Sequence, residues 1–356
     1  MNESQSDFNL SCPLPLSHHS TVQLAHGGGG RLMRAMIEGL FLPAFQAGAD
    51  PAKIGPPHDS AVLEVGGSRL AFTTDTFVVS PLFFPGGDIG KLAVYGTVND
   101  LAMAGAKPVC LSAGFILEEG FPLETLRRVV ESMSAAARAV GVPIVTGDTK
   151  VVDRGKGDGV FINTAGIGLV PAGVEVSPRR VVPGDAVLVS GDLGRHGMAI
   201  MSVREGLGFE GALESDCASL AGLVEAMLVA GRDMHCLRDL TRGGLASAVN
   251  EIAADAGVGI ELDEAAIPVA EPVASACEML GLDPLYVANE GRLVAFVPAP
   301  AAEVVLQIMR QHPAAERPAI VGRVTERHPG TVELRSPLGG GRILDLLSGE
   351  QMPRIC

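Results

Sequence analysis

Runs of apolar residues alternate with turn residues along this chain and predict a regular succession of strands and helices. Residues 109–117 form an apolar run of strand length, and residues 122–140 repeat apolar side chains at helical spacing. Pro122 suits the first turn of that helix, and Gly141 suits its end. Further strands are predicted at 61–65, 70–74, 144–146 and 160–170, and a helix at 88–106.

The second half of the chain repeats this alternation after a break. Residues 171–183 contain three prolines and no long apolar run, which is typical of a linker. Beyond it the pattern predicts strands at 186–190, 259–262, 293–297, 319–324 and 331–334, and helices at 198–205, 217–231, 244–256 and 301–311. The whole pattern predicts an α/β (α+β) fold built from two domains in tandem.

The predicted organisation has five parts. They are an N-terminal segment with a glycine-rich loop (1–45), a first domain (46–170), the linker (171–183), a second domain (184–336) and a tail (337–356). The glycines 339–341 favour a flexible joint at the start of the tail. At about 3.3 Å per extended residue, the tail beyond this joint could span at most about 50 Å. It could therefore reach a site on the body of the protein.

Composition and charge exclude several classes of protein. The 356 residues, 47% of them hydrophobic, are enough for two globular domains. A net charge of −14 opposes nonspecific binding to nucleic acid or to anionic membranes, because both are polyanions. The start of the chain lacks a secretory signal and no apolar run reaches membrane-spanning length, so we expect a cytoplasmic protein. Six cysteines without a C-x-x-C pair indicate neither a zinc site nor a disulfide framework.

The chain ends in a cysteine, Cys356, within the sequence Met352-Pro353-Arg354-Ile355-Cys356. A thiolate is a strong nucleophile and can carry a chemical group as a thioester-like adduct. We therefore interpret Cys356 as a mobile carrier of such a group. The alternative is an incidental end residue. A prenylated end is disfavoured, because the prenylation pattern places the cysteine fourth from the terminus.

Four aspartates share one sequence context, since each ends an apolar or strand-like segment. They are Asp59, Asp75, Asp100 and Asp148, and the polar or small residues beside them include Thr74, Asn99, Gly147 and Thr149. Strand ends are where α/β proteins gather ligands, and carboxylates with hydroxyl and amide groups suit Mg²⁺ shared with substrate phosphates. Each aspartate alone could instead cap a turn or a helix. Together they predict a metal–phosphate site.

Four other features are candidates for chemistry, each with a simpler alternative. The glycine run 27–30 is either a connector or a loop that folds over phosphates or over the returning tail. Lys150 shares a strand face with Asp148 and either neutralises a transferring phosphoryl group or forms a surface ion pair. Glu290 is either a general base or a solvated loop residue. Residues 239–245 fit a plain helix start better than an anion site.

Several motifs spread along the chain together resemble one family. They are LAHGGGG, TTDTFVVSPLFFPGG, GTVNDLAMAGA, GFILEEG, VTGDTKVV, FINTAGIG, TRGG, ANEG and the terminal PRIC. From about residue 21 to Cys356 the chain is similar to the HypE family, the hydrogenase maturation carbamoyl dehydratases. The PRIC end distinguishes that family from its relatives, the aminoimidazole ribonucleotide synthetases, selenophosphate synthetases and thiamine-phosphate kinases.

The resemblance implies a fold, a reaction and partners. The fold would be a two-domain, aminoimidazole ribonucleotide synthetase-like ATP-binding fold whose first-domain sheets pair in a homodimer. The reaction would use ATP and Mg²⁺ to convert a thiocarboxamide on the terminal cysteine into a thiocyanate. The carbamoyl group would come from the carbamoyltransferase HypF, and the cyanide would pass through a HypC–HypD complex to the iron of a [NiFe] hydrogenase.

The resemblance also assigns roles by position. Cys356 would be the acceptor, with Lys150 and Glu290 nearest the chemistry. The metal ligands would be Asp59, Asp75, Asp100 and Asp148. Cofactor binding would involve Gly28, Gly29, Gly30, Thr74, Asp75, Asn99, Asp100, Gly147, Asp148 and Thr149. One departure is His58-Asp59, where many members of the superfamily have two adjacent acids, so one metal contact is unmatched.

Other functions remain open on the residues alone. A synthetase that phosphorylates an amide oxygen on a free small molecule would need no terminal cysteine. A non-enzymatic, ATP-responsive scaffold would use the tail only to dock partners. Selenophosphate synthesis is disfavoured, because the glycine loop has no cysteine of its own and Cys12 lies well upstream.

Overall fold

Two β-sheets, each packed against helices, build the structure, which is a computed structural model. It describes residues 20–48, 57–206, 213–230, 233–349, 352 and 354–356. Cys12 and the rest of the predicted N-terminal segment before residue 20 lie outside these ranges. No helix within them has both the length and the apolar composition to cross a membrane.

The first sheet contains five strands from the first half of the chain. Its order is β1-β2-β7-β5-β6, antiparallel except between β5 and β6, and β3 and β4 form a separate hairpin. In chain order the elements are a 3-10 helix (Leu24–Gly27), α1 (Arg31–Met36), a π-helical turn (Ile37–Phe41), α2 (Leu42–Phe45), β1 (Ala61–Val65), β2 (Ser68–Phe77), β3 (Phe83–Phe84), β4 (Gly87–Asp88), α3 (Ile89–Met103), β5 (Lys107–Glu118), α4 (Leu123–Val140), β6 (Ile144–Val152) and β7 (Val160–Leu169).

The second sheet contains seven strands in the order β14-β13-β10-β12-β8-β11-β9, antiparallel except between β10 and β13. The main elements are β8 (Asp185–Val189), α5 (Arg195–Arg204), α6 (Ala221–Ala230), β9 (Cys236–Asp239), α7 (Gly244–Ala256), β10 (Gly259–Asp263), α8 (Glu271–Leu280), β11 (Leu293–Pro298), α9 (Ala302–Gln311), β12 (Ala319–Thr325), β13 (Val332–Arg335) and β14 (Gly341–Ile343). Short 3-10 helices lie at Pro178–Arg180, Glu264–Ala266, Pro284–Tyr286 and Ala299–Ala301. β8 is buried along its whole length.

Helix α3 packs against both sheets. It lies on β2, β7 and α4 of the first half and on β9 and α6 of the second. Its residues Leu101 and Met103 share one apolar cluster with Met227 and Leu293 of the second half. Gly96 allows close packing, since a Cβ at this position would lie 2.8 Å from the Phe77 ring. The helix is therefore buried on nearly all sides and fixes the two halves relative to each other.

Asp88 fixes the start of α3. Its Oδ1 accepts hydrogen bonds from the backbone of Gly90 at 2.8 Å and Lys91 at 3.1 Å. Its Oδ2 accepts a hydrogen bond from Ser132 of α4 at 2.8 Å. One buried carboxylate thus caps α3 and ties it to α4.

Most predicted elements are present with shifted ends. α4 begins at Leu123, and Gly141 ends it with φ of 69°, as the sequence predicted. The strand predicted at 144–146 extends to Val152, because parallel pairing with β5 supplies its hydrogen bonds. The helix predicted at 217–231 begins only at Ala221. Residues 217–220 have no regular secondary structure, and the Asn99 side chain binds the backbone of Ala218 and Leu220 there.

The sequence analysis missed several short elements. They are the helical segment from Arg31 to Phe45, the hairpin of β3 and β4, β9, α8 and β14. The strand β9 has only four residues and includes Arg238 and Asp239, so it lacks the apolar alternation of a predictable strand.

Residues 339–341, where the sequence predicts a flexible joint, form a turn and the start of a strand. Gly339 makes a turn with φ of 87°, and Gly341 begins β14, which pairs with β13. The second sheet thus continues beyond residue 336. Farther along, the Leu347 carbonyl accepts a hydrogen bond from the Arg31 backbone at 2.9 Å. Met352 and Ile355 are buried, so the described part of the tail lies against the body.

The cap of α3 provides a stability test. Asp88→Ala should destabilise the protein by about 1–2 kcal/mol, because it removes the helix cap and leaves Ser132 without its acceptor. Urea unfolding followed by circular dichroism measures this difference. Glu119→Ala, at an exposed position, is the control and should stay within about 0.5 kcal/mol of wild type. Equal stability of the two variants would contradict the role of Asp88.

Candidate active site

Three carboxylates meet where the two halves of the chain pack together. Asp59 precedes β1, Asp100 lies on α3 and Asp239 ends β9, and one side-chain oxygen of each lies within 4.8 Å of the others. The predicted pair Asp59 and Asp100 is therefore brought together. Asp239 was missed as a ligand, because the strand that carries it was not predicted.

Burial makes this acidic cluster electrostatically unfavourable by itself. It raises the pKa of Asp59 and Asp100 well above the ordinary value and that of Asp239 to about 6. Repulsion from neighbouring carboxylates adds to the effect of burial. The compensating contacts are few: Arg238 Nε lies 2.7 Å from Asp59 Oδ1, and Thr73 donates to Asp100 Oδ2 at 2.8 Å. A cation would relieve this repulsion.

The donor set suits a hard divalent cation. Asp59 Oδ2 is buried and has no hydrogen-bond partner among the described residues. A Mg²⁺ ion prefers such carboxylate oxygens. His58 does not replace the missing second acid, because burial and Arg238 lower its pKa to about 3 and keep the ring neutral. The residues present thus fit one cation held by Asp59, Asp100 and Asp239.

The thiol of Cys356 lies beside this cluster. Glu290, Arg242 and Asp75 all interact with it. Asp75 also faces Arg242, with Oδ1 3.6 Å from Arg242 Nη2, and it interacts with Asp100 of the cluster. The predicted residues Cys356, Glu290 and Asp75 therefore converge on one place. Arg242 joins them, although the sequence favoured a plain helix start at its position.

Burial raises the pKa of the Cys356 thiol, and the Glu290 carboxylate raises it further. The thiol is therefore protonated and unreactive while it occupies this position. Burial likewise raises the pKa of Glu290 well above the ordinary value, with added repulsion from Asp239 and Asp75. Glu290 Oε1 is buried without a hydrogen-bond partner in the described part of the chain.

Main-chain contacts hold the end of the tail in place. The backbone N–H groups of Val78 and Ser80 donate to the oxygens of Cys356 and Arg354, each at 3.3 Å. The His196 ring contacts the Ile355 carbonyl at 2.7 Å. The Arg204 guanidinium also donates to the Arg354 carbonyl, so the main-chain oxygens of the last three residues are all bonded to the body.

The glycine run packs against the same region. Gly29 has φ of 73°, and a Cβ on it would lie 2.7 Å from the Arg242 carbonyl oxygen. A Cβ on Gly30 would lie 2.4 Å from the Leu347 oxygen. Gly28 lines a cavity of about 230 Å³ together with Arg242 and Cys356. The glycine run thus contacts the returning tail at Leu347, which is one of the interpretations left open by the sequence.

Asn99, which the sequence analysis assigned to cofactor binding, makes hydrogen bonds to the protein backbone. Its amide donates to the Ala218 carbonyl at 3.0 Å and to the Glu290 carbonyl at 3.4 Å, and its Oδ1 accepts from the Leu220 backbone at 2.7 Å. These bonds occupy the amide at the junction of the two halves. The structure thus makes Asn99 a support for the backbone of Glu290 and does not direct its amide to a cofactor.

Asp148 and Lys150 are not brought to the acidic cluster within one chain. They form an ion pair at 3.0 Å on the edge strand β6, with both side chains 72% exposed. Asp148 shares a face of the first sheet with Asn163, whereas Asp75 pairs with the fully buried Thr164 on the opposite face.

The other predicted residues of this region also lie away from the cluster. Thr74 is on the outer face of the sheet and accepts a hydrogen bond from Asn163 at 3.0 Å. Gly147 allows close strand packing, since a Cβ there would lie 2.1 Å from the Ala113 oxygen. Thr149 is exposed on β6. In a single chain, none of these residues shares the site of Asp59, Asp100 and Asp239.

Comparisons with known proteins agree on one family. The models of AIR synthase related proteins match residues 57–170 with their N-terminal domain and residues 182–335 with their C-terminal domain. The carbamoyl dehydratase HypE of Azotobacter vinelandii is 56% identical over 338 residues, which cover 95% of this chain and 98% of the relative.

Two solved structures are similar over most of their length. A HypE–HypF complex has a TM-score of 0.81 at 48% identity and covers 88% of this chain and 100% of that one. The hydrogenase maturation protein HypE in complex with ATP has a TM-score of 0.79 at 48% identity and covers 94% of this chain and 100% of that one.

The acidic cluster should make stability depend on pH and on divalent cations. Because the folded protein raises the pKa of Asp239 to about 6, its contribution to stability is present at low pH and is lost as pH rises through about 6. In EDTA, wild type should lose about 2 kcal/mol more than Asp239→Asn between pH 4 and pH 8. Mg²⁺ at pH 8 should restore the stability of wild type only.

Chemical unfolding at each pH, with and without MgCl2, measures these differences. Asp153→Asn, at an exposed position, is the control and should follow wild type. If the free energy of unfolding changes with pH in the same way for wild type and Asp239→Asn, the pKa of Asp239 is not raised in the folded protein and the prediction is wrong.

Proposed function

Because the chain belongs to the HypE family of carbamoyl dehydratases, we propose that its Cys356 carries a carbamoyl group as an S-carboxamide and that the protein dehydrates it to an S-cyanate with ATP. As a member of this family the chain is an enzyme of hydrogenase maturation. The observation that carries the proposal is the position of the Cys356 thiol, which faces Glu290, Arg242 and Asp75 beside the acidic cluster. A chain end held there is suited to carry the reacting group itself.

ATP solves the central difficulty of turning an amide into a nitrile. The amide oxygen is a very poor leaving group by itself. When it attacks the γ-phosphorus, ADP departs, and the oxygen later leaves as inorganic phosphate. Both N–H protons are lost as the C≡N bond forms. S-carboxamide and ATP therefore give S-cyanate, ADP, phosphate and a proton, with no external oxidant or reductant.

Glu290 is the residue best placed to accept the N–H protons. Its carboxylate interacts with the Cys356 sulfur, which would carry the amide. Its raised pKa makes the ionised carboxylate a stronger base, and Arg242 opposes that rise and keeps the ionised form accessible. Tethering the substrate to the chain makes the encounter with this base intramolecular.

Positive charge for the triphosphate would come from two sources. Asp59, Asp100 and Asp239 would hold Mg²⁺, which neutralises phosphate oxygens when bound. The Arg242 guanidinium would stabilise charge on the transferring phosphoryl group, because it lines the cavity beside the thiol. ATP binding is further supported by the similar HypE structure in complex with ATP.

A homodimer would explain the outer face of the first sheet. Five large apolar side chains on this face are 40–46% exposed: Leu63, Phe72, Ile116, Ile167 and Leu169. Exposed apolar surface of this kind favours association. We propose that the sheet of a second copy covers it. The predicted roles of Asp148 and Lys150 would then be exercised across the dimer, in a site shared between the two copies.

The partners follow from the chemistry of the carrier. A carbamoyltransferase of the HypF type would load the thiol, as the similar HypE–HypF complex suggests. Loading needs the thiol outside its buried position, where its pKa is raised. A HypC–HypD complex would then accept the cyanide. All of these reactions would take place in the cytoplasm.

Replacement of the carrier is the first test. Cys356→Ala should abolish S-cyanate formation and leave ATP binding unchanged, because the acidic cluster and Arg242, which are proposed to bind the triphosphate, are retained. Incubation with the carbamoyl donor system and ATP, followed by intact mass analysis, measures the product. Cys110→Ala is the matched control and should form the adduct normally. Cyanation of the Cys356→Ala chain would end the carrier proposal.

The free-substrate alternative is tested with the same assay. A chain lacking residues 351–356 should be inactive if Cys356 is the carrier. Continued ATP turnover on a small amide by that truncated chain would support the synthetase alternative instead.

Replacement of the base is the second test. Glu290→Gln should slow dehydration by about 10²–10⁴-fold, because proton removal from nitrogen loses its acceptor. The adduct should accumulate as the S-carboxamide or its phosphorylated form, which mass analysis of the C-terminal peptide distinguishes. Glu119→Gln at an exposed position controls for nonspecific effects. Dehydration at the normal rate in Glu290→Gln would remove Glu290 from the mechanism.

A further inference from the structure

His196, in the first turn of α5, contacts the tail directly next to the thiol. Its ring is fully buried, and its Nε2 lies 2.7 Å from the carbonyl oxygen of Ile355. Its Nδ1 lies 2.9 Å from Ser215 Oγ. The Phe84 ring packs edge-on against it at 5.4 Å. The imidazole is therefore held on all sides, with one nitrogen directed at the peptide that precedes Cys356.

The groups at the two ends of this chain of hydrogen bonds fix every donor and acceptor in it. The Ile355 carbonyl can only accept, so His196 Nε2 must carry the proton. The Cys217 backbone N–H can only donate, and it donates to Ser215 Oγ at 3.1 Å. With the ring neutral, His196 Nδ1 accepts the Ser215 hydroxyl proton. The Ile355 carbonyl thus selects the tautomer of the neutral ring, and the Ser215 hydroxyl satisfies the other ring nitrogen.

The segment of Ser215 and Asp216, which contacts His196, also contacts the proposed base, Glu290. Asp216, next to Ser215, accepts hydrogen bonds from the backbone of Glu290 at 3.3 Å and of Gly291 at 3.1 Å. A Cβ on Gly291 would lie 2.0 Å from the Asp216 oxygen, so the two segments are in close contact. Ser215 and Asp216 are neighbours in the chain, so one segment positions both His196, which contacts the tail, and Glu290.

We propose that His196 is a positioning residue that docks the carrier tail: it binds the Ile355 carbonyl and so sets where the Cys356 sulfur lies relative to Glu290. The inference rests on the proposed function for its catalytic meaning, but the docking itself stands on geometry. The contacts from Val78 and Ser80 to the tail are longer, at 3.3 Å each. The Arg204 guanidinium also donates to the Arg354 carbonyl, whereas the bond from the buried His196 ring goes to the residue directly before Cys356.

Docking of the tail can be measured independently of the proposed reaction, through the accessibility of the Cys356 thiol. In the full-length protein, iodoacetamide should modify Cys356 slowly, since the docked thiol is only partly exposed and its pKa is raised. His196→Phe keeps a ring of similar volume and removes the N–H donor. It should raise the modification rate of Cys356 about tenfold, the effect of losing one buried hydrogen bond. His196→Gln retains an amide donor and should stay near the wild-type rate.

Two internal references separate undocking from unfolding. The partly exposed Cys110 should react equally in all variants, and the buried Cys236 should stay unmodified. If in His196→Phe the buried Cys236 is modified, that variant is unfolded, and Ser215→Ala decides instead, because it keeps the His196 ring and removes the hydroxyl that orients it. Faster modification of Cys356 in a folded variant supports the proposal. A wild-type rate in every folded variant among these two overturns it.

The reaction supplies a second readout that a merely structural role would not change. In His196→Phe, carbamoyl transfer onto Cys356 should be undiminished, whereas dehydration of the loaded chain should slow about tenfold, because the sulfur loses its fixed position relative to Glu290. Equal slowing of both steps would overturn the positioning role. Failure of wild type to form S-cyanate would refute the proposed function and leave the thiol-accessibility result intact.

Discussion

The structure depends on burying like charges where its two halves meet. Asp59, Asp100 and Asp239 come from three separate segments, and their oxygens lie within 4.8 Å of one another. Burial alone would favour their protonated forms, and Arg238 offsets only part of the repulsion. The packing of α3 against both sheets keeps the carboxylates together despite this. The repulsion among these carboxylates favours binding of the divalent cation that an ATP-dependent reaction needs.

Much of the first half of this site could be predicted from sequence. Asp59, Asp75 and Asp100 each follow an apolar segment, and the ends of such segments gather in α/β proteins. Asp239 and Arg242 could not be found in this way, since β9 is four residues long and carries two charges of its own. Their position depends on pairing with β11, which no local pattern reveals.

The alternation of side chains between the two faces of a strand, and the direction of each side chain, account for the remaining differences between the predicted and the observed site. Asp148 has the composition expected of a ligand, but β6 extends to Val152 and exposes it on the outer face. Asn99 is adjacent to Asp100 in sequence, yet its amide faces the backbone of the other half. The sequence analysis named Asp59, Asp75, Asp100, Glu290 and Cys356, and the structure brings these residues close together. Which of them share one face is decided by long-range pairing.

Recognition of the tail through its backbone has a practical consequence. The main-chain oxygens of Arg354, Ile355 and Cys356 are already bonded to the body, and Cys356 lines the cavity beside Arg242. Any affinity tag fused after Cys356 would compete with the thiol for that space. Purification of this protein is therefore better served by a fusion at its amino end.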